Sequence, residues 1–149
     1  MMRKRVNMNY VVVEGGNKVQ RDIAEKVVNF MIGQLLPRHR TLDITVQLNK
    51  MNDDAIGYCQ MEDTNREFII EVDKTIGIKE LVTTICHEMI HVKQYVRNEM
   101  NDDLVENGQA VWRGRKVNPN TKYYDLPWEK EAYRLQDKFA NLVWKEEII

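Results

Sequence analysis

Residues 85–92 read Ile85-Cys86-His87-Glu88-Met89-Ile90-His91-Val92. They sit inside a longer pattern in which Ile78, Leu81, Val82, Ile85, Met89, Val92 and Val96 recur at steps of three and four. That spacing predicts a helix from about Ile78 to Met100. With Ile85 set at zero and about 100° per residue, the apolar stripe stays within about 60° of zero, whereas His87 falls at about 200° and His91 at about 240°. The helix therefore has an apolar face for a core and a separate histidine face for a cleft. Side chains four apart on a helix stand one turn above each other, so both imidazoles can reach one metal ion. Glu88 lies beside them, where a carboxylate can take a proton from a water in the ion's open position. The plainer reading is a solvated face that happens to carry two histidines. It is weakened by scarcity, since the chain has three histidines in all, His39, His87 and His91.

Two histidines and a water leave one ligand to be found. His39 belongs to the basic run Arg38-His39-Arg40 after Pro37 and reads as a loop residue. Cys86 adjoins His87 but points about 100° away on the helix, so it cannot easily share the ion. A later helix offers carboxylates. Pro127 suits a first turn, with Asp125 as a cap, and Trp128, Ala132, Leu135, Phe139, Leu142 and Val143 make its apolar stripe. Glu131 is three after Trp128 and four before Leu135, inside that stripe. A buried carboxylate is costly unless something neutralises it, and a metal ion would. Glu129 turns about 120° from Leu135 and reads as solvent-facing. Glu131 is thus the expected third ligand, with Glu129 the alternative. Tyr123 and Tyr124, shortly before this helix, are candidate donors to a tetrahedral oxyanion, although packing explains them as readily.

Upstream, Tyr10 to Val13 reads as a short strand ended by Gly15-Gly16. Asn17 is placed to cap a helix running to about Leu36, with Val19, Ile23, Val27, Phe30, Met31 and Leu35 on one side. Leu42, Ile44, Val46 and Leu48 alternate with Asp43, Thr45 and Gln47, a strand with one wet face. Residues 55–61 and 66–73 follow as strands after the turn signals at 52–54 and 62–65. The short connections predict an antiparallel meander. Breakers at 101–103 and 107–108 introduce a segment to Leu126 that reads mostly as loop. The expected class is α+β, in one domain spanning residues 1–149.

Composition limits the function. Lys and Arg number 22 against 23 Asp and Glu, a net charge of −1, so no global field draws the chain to nucleic acid or anionic lipid. Only local basic clusters, residues 3–5 and Trp112-Arg113-Gly114-Arg115-Lys116, keep a nucleic-acid partner in play. No run is long and apolar enough for a membrane span, and no signal-length apolar run follows the basic first residues. Two cysteines make no disulfide framework. The expected compartment is the cytoplasm.

The paired motif, followed by a glutamate on a later helix, resembles the gluzincin branch of zinc metallopeptidases. Glu131-Ala132 with Phe139-Ala140 is similar to the Glu-Ala…Phe-Ala run of ImmA/IrrE-like peptidases, in which that glutamate is the third ligand. The order helix, sheet, motif helix also resembles SprT-like and minigluzincin domains. The chain departs from SprT-like proteins, which use a third histidine, because none follows His91. The resemblance implies a zincin-like fold, one Zn2+ ion, and hydrolysis of a peptide or protein substrate by a metal-activated water with Glu88 as base. It also implies an edge strand bordering the cleft, a part that residues 66–73 are expected to play. A SprT-like protease acting on DNA-bound proteins and a non-catalytic zinc-binding module are the alternatives. Substrate, regulation and oligomeric state are not readable from these residues.

Overall fold

Each strand and helix starts where the local chemistry requires. The computed structural model describes residues 8–101 and 109–149. Strand β1 (Tyr10–Gly15) ends at Gly15, whose φ is +83° and whose added Cβ would meet the Leu48 carbonyl oxygen at 2.3 Å. Only glycine fits that approach. Helix α1 (Lys18–Leu35) opens with a reciprocal cap: the Asn17 side chain accepts from the Gln20 N–H, and the Gln20 side chain accepts from the Asn17 N–H, both at 2.9 Å. Strands β2 (Asp43–Asn49), β3 (Gly57–Met61) and β4 (Glu67–Asp73) follow, then helix α2 (Ile78–Val96). Ile44, Val46, Leu48, Phe68, Ile70 and Val72 are fully or almost fully buried. They join Ala24, Val27, Val28 and Met31 of α1 and Leu81, Val82, Ile85 and Met89 of α2 in one core. The alternation read in β2 is the alternation observed.

The sheet is mixed, and here the meander expectation is corrected. Its order is β1-β2-β4-β3, with β1, β2 and β4 mutually parallel and β3 antiparallel to β4. A strand, a helix and a strand in succession place β1 and β2 side by side in parallel, as such crossovers do. The seven residues 50–56 are long enough to carry the chain past the place that β4 then takes. Within this sheet only the short connection 62–66 makes a hairpin, with the Glu62 N–H donating to the Glu67 carbonyl at 2.8 Å. Consequently β4 lies inside the sheet, and β1 and β3 are its two edges. The assignment of residues 66–73 to the edge is therefore wrong.

Helix α2 stops at Val96 rather than near Met100 because Asn98 turns left-handed, with φ of 56°. Strands β5 (Met100–Asn101), β6 (Val111–Trp112) and β7 (Arg115–Lys116) form a second small antiparallel sheet. A 3-10 turn (Tyr123–Asp125) leads to helix α3 (Pro127–Lys145). Pro127 takes the first turn as expected, but the cap position is Leu126 and no side chain caps it, so Asp125 does not have the predicted role. The breakers at 102–103 and 107–108, like the basic residues 3–5, lie outside the described residues. No described helix is long and apolar enough to cross a membrane.

Candidate metal centre

The histidine face of α2 is covered by the first three turns of α3. His87, His91 and Glu129 are all buried, with ligand atoms within 4.8 Å of one another, and could hold a metal ion. His87 Nε2 stands 3.1 Å from Glu129 Oε1, and His91 Nε2 stands 3.2 Å from Glu129 Oε2. The carboxylate expected here was Glu131, and the structure corrects this. Glu131 turns instead to Lys93 Nζ at 2.9 Å, Arg113 Nη2 at 2.6 Å and Gln94 Nε2 at 3.0 Å. The burial argument was sound for Glu131, but cationic side chains supply the neutralisation. The error came from centring the face of α3 on Leu135. That residue is only half-buried, whereas Ala132, Ala140 and Val143 are buried and Glu129 and Gln136 follow the same helical face. Small residues mark where two helices approach closely, and Glu129 stands at the head of that row.

The donor set suits a divalent ion. A tetrahedral site with ligand bonds of about 2.0–2.1 Å needs ligand atoms about 3.3 Å apart, and each Nε2 stands 3.1 or 3.2 Å from a carboxylate oxygen. Both Nδ1 atoms are engaged on the far side of the rings: His87 Nδ1 lies 2.8 Å from Gln136 Oε1, and His91 Nδ1 lies 2.7 Å from Gln94 Oε1. An amide oxygen can only accept, so each ring presents Nδ1–H to it and turns its Nε2 toward the centre. Burial pushes Glu129 up, but hydrogen bonds from His87 and His91 outweigh it and hold the carboxyl down at about 2, so it is an anion at neutral pH.

Glu88 is buried beside this group. Its pKa is raised, chiefly by burial, with the charge of Glu129 adding to the effect and the two histidines opposing it. Edge strand β3 passes close by. A Cβ placed on Gly57 would come within 2.6 Å of Thr84 Cγ2 and 3.1 Å of Glu88 Oε2. Glycine is thus what lets the edge strand lie against the motif helix. Gly57→Ala should destabilise the fold by about 1–3 kcal/mol, as overpacking does. Urea unfolding checks it; an unchanged midpoint would contradict the tight approach.

The remaining candidates divide. Tyr123 is half-exposed, but its hydroxyl hydrogen-bonds Glu129 and Tyr133 at the edge of the centre, and the partial burial of that hydroxyl, then the charge of Glu129, push it well above its usual range. Tyr124 is mostly exposed and packs on Tyr123 and Tyr133. Tyr133 was missed by sequence reading, yet its ring sits 4.5 Å from that of His87. It is four residues after Glu129 and three before Gln136, a polar stripe at helical spacing that could have revealed this face. His39 is half-buried near Arg66 and Arg97; burial and those charges lower its pKa, and it is not in the metal group. Cys86 is buried, and burial pushes its thiol up to about 12. Arg113 of the basic hairpin points to Glu99 and Glu131, while Trp112 meets Trp128. No family model, no curated protein and no solved structure matches this chain, so the chemistry rests on these side chains alone.

Proposed function

We propose that the chain is a zinc-dependent peptidase with a zincin-like arrangement. The observation that carries this reading is the convergence of two histidine Nε2 atoms on one buried carboxylate, with Glu88 adjoining the pair. His87, His91 and Glu129 would hold the ion, and two imidazoles with a carboxylate suit zinc. When bound, zinc would act as a Lewis acid toward a carbonyl oxygen and lower the pKa of a water. Glu88 would accept the water's proton and return it to the departing amine. Its raised pKa favours both transfers, because a carboxyl nearer neutrality holds a proton long enough to hand it on. Tyr123 and Tyr133 keep their protons at neutral pH, both being raised chiefly by burial, and would be available to donate to an oxygen that gains negative charge.

The open edge near Glu88 is β3, so an extended peptide would pair there by backbone hydrogen bonds. A purely structural metal site would have no use for a base at position 88. The DNA-associated version of the reading draws little from the hairpin at 113–116, whose Arg113 is engaged by two glutamates.

Metal removal tests the proposal. Chelation should abolish hydrolysis of a mixture of unstructured peptides, and one equivalent of zinc should restore it. Hydrolysis that persists after metal analysis shows a stripped protein would refute it.

A further inference from the structure

Helix α3 begins without a side-chain cap: Leu126 holds the cap position and Pro127 follows it. Glu129 is the third residue of the helix, where a glutamate commonly folds back onto the cap N–H. Here its carboxylate faces the two histidines instead. An uncapped first turn keeps its free N–H groups without side-chain partners and frays readily. Two side chains reach this turn from the β6–β7 hairpin. Trp112 lies against Trp128, ring centroids 6.4 Å apart, and Arg113 Nη2 stands 2.6 Å from Glu131 Oε2. The hairpin is in turn tied to the end of α2. Strand β5 follows that end closely and pairs with β6, Met100 opposite Trp112. The Arg113 N–H donates to the Glu99 carbonyl at 2.7 Å. Arg113 itself is left-handed, with φ of 48°, a conformation that a side-chain-bearing residue keeps only where its surroundings impose it.

We infer that the β6–β7 hairpin is a strap, fixed to the end of α2, which holds the uncapped first turn of α3 through Arg113 and Trp112 and so positions Glu129 opposite the two histidines. Helix α2 also reaches this turn directly. Gln94 Nε2 donates to the Trp128 carbonyl and to Glu131 Oε1, each at 3.0 Å, and Lys93 Nζ lies 2.9 Å from Glu131 Oε1. Charge balance is what Arg113 adds. Lys93 also lies 2.8 Å from Glu99, and Arg113 lies 3.3 Å from Glu99, so two cations face two carboxylates. Without Arg113, two little-exposed carboxylates would share one ammonium. Excess charge away from water is costly, and Glu131 turning outward would relieve it. Glu131 and Glu129 belong to one helical turn, so that movement would carry Glu129 with it. Arg113 acts through Glu131 and Trp112 through Trp128; both are positioning residues. The basic, aromatic segment at 112–116 thereby gains an internal role for its first two residues.

The inference rests on the metal-centre reading for its purpose, but one arm of its test needs no metal. In metal-free protein, hydrogen exchange at the Lys130, Glu131 and Ala132 amides reports how firmly the first turn is held; Lys130 N–H bonds to the Leu126 carbonyl at 2.9 Å. Arg113→Ala should speed exchange at these three amides about tenfold or more, as local opening does, while those of α2 from Ile85 to His91 keep their rates. It should also weaken zinc binding about 10–100-fold, the usual effect of losing an outer partner of a metal site. Arg113→Lys, which keeps the charge, should restore most of both. Unchanged exchange at the three amides in a folded Arg113→Ala protein would overturn the strap. A uniform rise across α1, α2 and α3 would do the same, since it marks a loss of global stability alone. Faster local exchange with unchanged zinc affinity would overturn the positioning of Glu129. If Arg113→Ala fails to fold, Arg113→Gln is read by the same two measurements. If the wild type binds no zinc, the metal reading fails, and the exchange rates alone decide the strap.

Discussion

Glu129→Ala should abolish stoichiometric zinc binding. The two imidazoles would remain, but the carboxylate facing both Nε2 atoms at 3.1 and 3.2 Å would be gone. The lost affinity should exceed the roughly 10–100-fold typical of an outer-partner substitution, because a charged ligand is removed outright. Glu131→Gln, two residues away and in the same helix, should therefore have the smaller effect. The order of the two variants is the informative quantity. Titration of each stripped protein with zinc, with circular dichroism to verify folding, gives that order directly. A Glu129→Ala protein that binds zinc like the wild type would remove Glu129 from the centre.

Glu88→Gln should leave zinc bound and reduce hydrolysis by about two to four orders of magnitude, the range that a positioned general base contributes. Glutamine has nearly the same shape, so the approach of β3 at Gly57 should survive. What it cannot do is take a proton from water. The comparison needs two readouts on one preparation: metal content and peptide hydrolysis. Retained metal with lost turnover is the expected pair. Full turnover in the variant would deny Glu88 its assigned part, and loss of metal would make it a ligand rather than a base.

Much of the architecture was legible because periodicity reports burial. The stripe of α2, the Asn17 cap and the alternation of β2 all follow from residue spacing, and each is observed. The histidine pair was legible for the same reason, since four residues make one helical turn. Sheet order was not legible, because alternation says which face of a strand is wet but not which strand is its neighbour. The third carboxylate was misassigned for a related reason. Spacing places Glu129 and Glu131 on different sides of α3, but the partner met by each side is a tertiary fact. The large side chains Trp128 and Leu135 suggested the wrong centre, while Ala132 and Ala140, at the close contact with α2, marked the right one. Lys93 and Arg113 come to Glu131 from 38 and 18 residues away, a neutralisation that no local pattern shows.

The most direct measurement is zinc-edge X-ray absorption on the protein loaded with one equivalent of zinc, with Glu129→Ala beside it. The account predicts two imidazole nitrogens and oxygen donors at about 2.0–2.1 Å in the wild type. It also predicts loss of that shell in the variant. A sulfur donor at about 2.3 Å, which would bring Cys86 into the shell, or the absence of any bound ion in the wild type, would contradict it.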